Sequence, residues 1–162
     1  MEYRGKFKGA LVYDDYGHHP TEIKATLQGF REKFPKKKIL CVFQPHQAER
    51  LKRLWPEFQT AFAGADTTLL VPVYKVAGRD AEDPKYNSRE LVKAIQNKHS
   101  KQKIFYMDNP KNLRSALETL MATPLADGCE APLKRKKNNH DWVIVMMGAG
   151  DIVDFTNSLV RR

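Results

Sequence analysis

Apolar residues fall along this chain in short β-prone runs, separated by segments in which they recur three and four positions apart. The runs at 10–13, 39–43, 68–71, 104–107 and 142–147 are too short for buried helices and rich in branched and aromatic side chains, so each predicts a strand. Between them, 21–34, 48–63, 88–97 and 113–122 carry the helical spacing, and 152–160 predicts a short closing helix. Strict alternation of strand and helix predicts an α/β fold: a Rossmann-like, doubly wound, mainly parallel sheet of about five or six strands with helices on both faces. The stretch 123–140, with Pro124, Gly128, Pro132 and four consecutive basic residues, breaks the pattern and is expected to be a mobile connection or an inserted hairpin.

A length of 162 residues, 41% of them hydrophobic, fits one domain with a real core. The net charge of +9 and pI near 9.6 raise nucleic acid as a partner. The distribution opposes it: Lys36-Lys37-Lys38, Lys134-Arg135-Lys136-Lys137 and Arg161-Arg162 sit in turns, loops and the chain end, with no RNA-binding aromatic signature beside them. A solvated basic surface, or a field that draws anionic substrates, accounts for the excess. Cys41 and Cys129 lie far apart without CxxC spacing, which suggests a reducing compartment and no zinc site. No run reaches the roughly 20 apolar residues of a membrane span and the first residues lack a signal-peptide stretch, so a cytoplasmic protein without a membrane partner is expected.

Chemistry concentrates in Asp14-Asp15-Tyr16-Gly17-His18-His19-Pro20-Thr21-Glu22, nine residues between a strand and a helix that opens with Pro in its first turn. Ligands of open α/β sheets bind at this edge, where helix N-termini offer free N–H groups to anions. Gln44-Pro45-His46-Gln47 with Arg50, Pro72-Val73-Tyr74, and Gly148-Ala149-Gly150-Asp151 leave other strands at the same edge, so His18, His46, Arg50 and Tyr16 can share one cleft with the Gly148 turn. Plainer roles stand beside these: the histidine pair could cap a helix, Asp14 and Asp15 could bind turn N–H groups, and Tyr74 could cover core. A metal at His18, His19 and His46 is not expected, since adjacent histidines point apart and no ligand spacing accompanies them. Asp108-Asn109-Pro110 reads as a turn with a helix cap.

In these same motifs, Asp14 to Ile23, Phe43-Gln44-Pro45-His46, Leu70 to Tyr74 and Met147 to Ile152, the chain resembles the C-terminal domain of the bacterial Mur ligases, nearest the branch that adds L-alanine to UDP-N-acetylmuramate in peptidoglycan precursor synthesis. The four motifs run in the family order across nearly the whole chain. The resemblance implies one domain of a three-domain, ATP-dependent ligase, with ATP and Mg2+ held mainly by a central domain whose GxxxxGK[ST] loop does not occur here. It implies catalytic roles for His18 and His46, substrate contacts for Tyr16, Gln47, Arg50 and Tyr74, and nucleotide contacts for Asp15, His19 and Glu22. Gln47 departs from the pattern, since the family usually has Arg there, and this bears on which amine is accepted. A tripeptide-joining branch of the family and a binding module on the same fold remain alternatives.

Overall fold

The computed structural model describes residues 1–75, 83–122 and 141–161. Its one sheet has six strands: β1 (Glu2–Phe7), β2 (Ala10–Asp15), β3 (Lys38–Phe43), β4 (Thr67–Leu70), β5 (Ile104–Tyr106) and β6 (Trp142–Met147). They lie in the order β1-β2-β6-β3-β4-β5, all parallel except β1, which pairs antiparallel with β2. Among the described residues six α-helices accompany them: α1 (Pro20–Lys33), α2 (Ala48–Arg53), α3 (Trp55–Phe58), α4 (Ser88–Lys98), α5 (Leu113–Ala122) and α6 (Ile152–Val160). The expected mainly parallel, doubly wound architecture is present.

Period-two alternation splits the core across the sheet. Ile39, Cys41 and Phe43 of β3 and Val143, Val145 and Met147 of β6 face one side, where Ile23, Leu27 and Phe30 of α1 pack together with side chains of α2, α3 and α4. Leu40, Val42, Ile144 and Met146 face the other side and are covered by Leu113 and Leu117 of α5 and Ile152 and Leu159 of α6. Burial on both faces explains why these strands read as continuous apolar runs.

Two expectations need correction. The helix expected over 48–63 is two short ones, because Pro56 has no N–H to donate and its ring crowds the carbonyl one turn back, so α2 ends at Arg53 and a second turn starts at Trp55. The strand over 2–7 was not anticipated, since Glu2, Arg4 and Lys6 hide any apolar run. Its signal was the turn: Lys8 and Gly9, with φ of 49° and 95°, form a two-residue hairpin of the positive-φ kind that matches strand twist. The irregular stretch 123–140, with Cys129 and the Lys134–Lys137 basic run, lies outside the described residues. No helix among the described residues is long and apolar enough to cross a membrane.

Candidate functional site

The loops after β2, β3, β4 and β6 meet at the carboxyl edge of the sheet. The chain beyond β3 and β4 stays paired there: Tyr74 N donates to Pro45 O at 2.8 Å, and His46 and Tyr74 form an isolated parallel bridge. Their rings stack with centroids 5.4 Å apart and planes 11° apart. His18 lies 6.2 Å from His46, and the Tyr16 ring meets His18 edge-on at 5.5 Å. Tyr16, His18, His46 and Tyr74, drawn from three loops, therefore form one row, with Tyr16 73% exposed at its open end.

The turn before α1 fixes the two imidazoles in opposite senses. His18 Nδ1 is 3.2 Å from the carbonyl of Tyr16, which can only accept, so Nδ1 carries the proton and the neutral ring keeps a lone pair on Nε2. His19 Nδ1 instead accepts from Thr21 N at 3.2 Å, which places the proton of that neutral ring on Nε2. Glu22 accepts from His18 N and His19 N, both at 2.9 Å, and these backbone bonds hold its carboxyl below the usual range. His19 and Glu22 together form a reciprocal cap on α1. Asp15 accepts from Gly17 N at 3.0 Å and from Thr26 Oγ1 at 3.3 Å. The expectation of free N–H groups at this helix start is corrected: the N–H groups of Gly17, His18, His19 and Thr21 are already bonded to the loop's own side chains. Asp15, His19 and Glu22 shape the turn, and His18 is the imidazole it presents toward His46.

Gln47 and Arg50 flank the start of α2. Gln47 sits at φ +65°, ψ +115°, a region where non-glycine residues are strained, and its side chain makes no cap bond to the helix. Arg50 has a buried Nη1 with no hydrogen-bond partner among the described residues. Buried donors are almost always satisfied, which sets this atom apart.

Gln44 is the residue that sequence reasoning passed over. It is 4% exposed, its Nε2 donates to Asp151 at 2.6 Å, and its Oε1 accepts from Ile152 N at 3.1 Å. One amide thus clamps the loop after β3 to the start of α6, 107 residues away from Asp151 in sequence. Its signal was a lone amide at the end of an otherwise apolar strand. Gly150 completes the junction: a Cβ there would come within 2.5 Å of the Tyr74 ring and 2.6 Å of Gln44 Oε1, so the close approach requires glycine. Asn109 caps the turn after β5 as expected, accepting from Lys111 N at 3.0 Å. Among the described residues no group of three or more His, Cys, Asp and Glu is placed to hold a metal ion.

Known proteins are similar to this chain in sequence and in fold. The chain is 43% identical over 100 residues, 62% of its length, to UDP-N-acetylmuramate–L-alanine ligase of Bdellovibrio bacteriovorus, and spans 22% of that relative. Among solved structures it superposes on a murein peptide ligase from Psychrobacter arcticus with a TM-score of 0.68 at 17% identity, covering 98% of this chain and 28% of that one. It also superposes on a Haemophilus ducreyi domain described as part of a UDP-N-acetylmuramate:L-alanyl-γ-D-glutamyl-meso-diaminopimelate ligase, with a TM-score of 0.61 at 19% identity, covering 98% of this chain and 95% of that one. The model of the Mur ligase family, glutamate ligase domain, matches residues 1–150, and the chain belongs to that family.

Proposed function

We propose that this chain is the amino-acid-binding and nucleotide-completing domain of an ATP-dependent ligase that joins L-alanine to UDP-N-acetylmuramate in peptidoglycan precursor synthesis. The observation that carries the reading is Arg50, on the helix that follows His46, whose buried Nη1 has no partner among the described residues. A buried unsatisfied donor costs about 1–3 kcal/mol, and more when charged. An amino-acid carboxylate removes that cost with a charge-assisted bond. The name of the Bdellovibrio relative supplies the amine and its acceptor.

In this reading ATP activates the sugar-bound carboxylate as an acyl phosphate, which the amine attacks with loss of inorganic phosphate. His18 takes part through Nε2, whose lone pair accepts a proton from the attacking amine. His46, held flat against Tyr74, faces the phosphate, and Tyr16 and Gln47 border the amino acid. The turn built by Asp15, His19 and Glu22 sets His18 against the nucleotide. In this reading Mg2+ is held mainly by the remaining domains in cis.

The full-length protein containing this domain is expected to release phosphate from ATP only when UDP-N-acetylmuramate and L-alanine are both present, and the 162-residue chain alone to release none, because the reacting groups come from two sides of a cleft. Phosphate release that ignores L-alanine overturns the reading. Within it, Arg50→Ala is expected to raise KM for L-alanine at least about tenfold, the scale of one charge-assisted hydrogen bond, with a smaller change in kcat. An unchanged KM removes Arg50 from the site.

A second reading, ligation of a tripeptide to the same sugar nucleotide, is favoured by one observation. A cleft of about 340 Å3 opens between the start of α2, the chain after β4 and the start of α4, lined by Ala48, Val73 and Ser88 among others. That volume is far more than a methyl side chain fills and lies in the range of about 300–1,000 Å3 usual for small-molecule sites.

A further inference from the structure

We propose that this cleft is a carboxylate subsite, which holds an acidic group of the amine-bearing substrate beyond the one that Arg50 takes. The inference rests on the tripeptide reading above. Its strongest element is Ser88, the first residue of α4, which lines the cleft, is 1% exposed and carries an Oγ with no hydrogen-bond partner among the described residues. Its Oγ is shut off from bulk water and meets no hydrogen-bonding group among the described residues, so it stays unsatisfied at the cleft wall.

The lining carries two carboxylates, and both are already engaged: Asp83 by Lys52 at 3.3 Å and by Lys85 N at 2.9 Å, and Asp108 as described below. α4 is 11 residues long, so its aligned peptide dipoles favour negative charge at this end. The Asn87 side chain accepts from Glu90 N at 3.0 Å, and the Asn87 carbonyl accepts from Leu91 N at 2.9 Å. The N–H groups of Ser88 and Arg89, which precede the first intrahelical bonds, have no such partner within the helix. The Arg89 guanidinium lies 4.8 Å over the ring of Tyr106 and 3.4 Å from the carboxylate of Asp108, to which the Tyr106 hydroxyl donates at 3.0 Å. Asp108 is thereby engaged by a cation and a hydroxyl, and it holds Arg89 at the rim with further N–H groups of its fork to offer. A hydroxyl, helix-start N–H groups and a planar guanidinium converging on one cleft match a two-oxygen acceptor.

The test is a titration of this chain followed through its backbone amide resonances. L-Alanyl-γ-D-glutamyl-meso-diaminopimelate, which carries carboxylates remote from its N-terminal amine, is expected to shift the amides of Ser88 and Arg89. L-Alanine is expected to shift only those around His18, His46 and Arg50. Ser88→Ala should weaken tripeptide binding about 3- to 10-fold and Arg89→Gln about tenfold or more, the ranges for one neutral and one charge-assisted bond. A tripeptide that leaves the α4 amides unmoved, or L-alanine that moves them equally, overturns the subsite, as does binding that neither variant weakens. Ligation by the full-length enzyme separates the two ideas. Tripeptide joined at the wild-type rate and affinity by both variants removes the subsite and keeps the tripeptide reading; tripeptide bound at α4 but never joined keeps the subsite and removes that reading.

Discussion

His18→Ala in the full-length ligase is expected to lower kcat about a hundredfold while shifting the Tm of this domain by less than about 4 °C. The first figure is the usual effect of losing a positioned group that acts in the transition state, and the second corresponds to about 1 kcal/mol for a domain of this size. The separation follows from where His18 makes its contacts. Its ring bonds to one carbonyl, Tyr16 O, and lies beside the exposed Tyr16 ring, while the fold-defining bonds of the turn run through its backbone N–H to Glu22 and survive the substitution. Parallel turnover and thermal-unfolding measurements check this. Collapse of stability with normal turnover in the surviving enzyme would make His18 a structural turn residue and move the chemistry to His46.

Gln44→Ala is expected to strike stability first, lowering Tm by about 5–15 °C. Truncation removes two hydrogen bonds, one of them buried, and leaves the Ile152 N–H without its acceptor, a loss of about 2–4 kcal/mol at about 2–4 °C per kcal/mol. Turnover should fall as well, since the start of α6 and Gly150 are positioned through the same amide. Thermal unfolding of this chain decides it: a shift under about 2 °C would mean that the junction is held by Gly150 packing on Tyr74 and not by the amide.

The sheet was legible because its parallel strands are buried on both faces, which leaves a continuous apolar trace such as Ile39 to Phe43 or Trp142 to Met147. β1 was not, because an edge strand with Glu2, Arg4 and Lys6 meets water and carries no such trace; only the Lys8-Gly9 turn betrays it. The split between α2 and α3 could have been read from Pro56, whose effect on a helix interior is local. At the site, the loops and His18, His46 and Tyr74 were legible from residue type and from position at strand ends. The division of labour was legible only in part: a capping role for the histidine pair was one alternative, but not that it falls to His19 with Glu22, nor that Gln44 meets Asp151, 107 positions on. A partnership of that span leaves no local pattern, and neither does the hydroxyl of Ser88, which has no partner among the described residues.

The order of strands across the sheet carries a consequence for synthesis. β2 and β3 are not neighbours; β6 lies between them and pairs with both, in registers that run from Leu11↔Val143 and from Lys38↔Trp142. A ribosome must therefore release more than 140 residues before the middle of the sheet can form. Until Trp142–Met147 arrives, β2 with its hairpin partner and β3 with β4 exist as separate halves, each with an open edge at the seam. Closing that seam late and over long sequence separation makes for slow assembly, and leaves the nascent apolar strands in need of protection from one another.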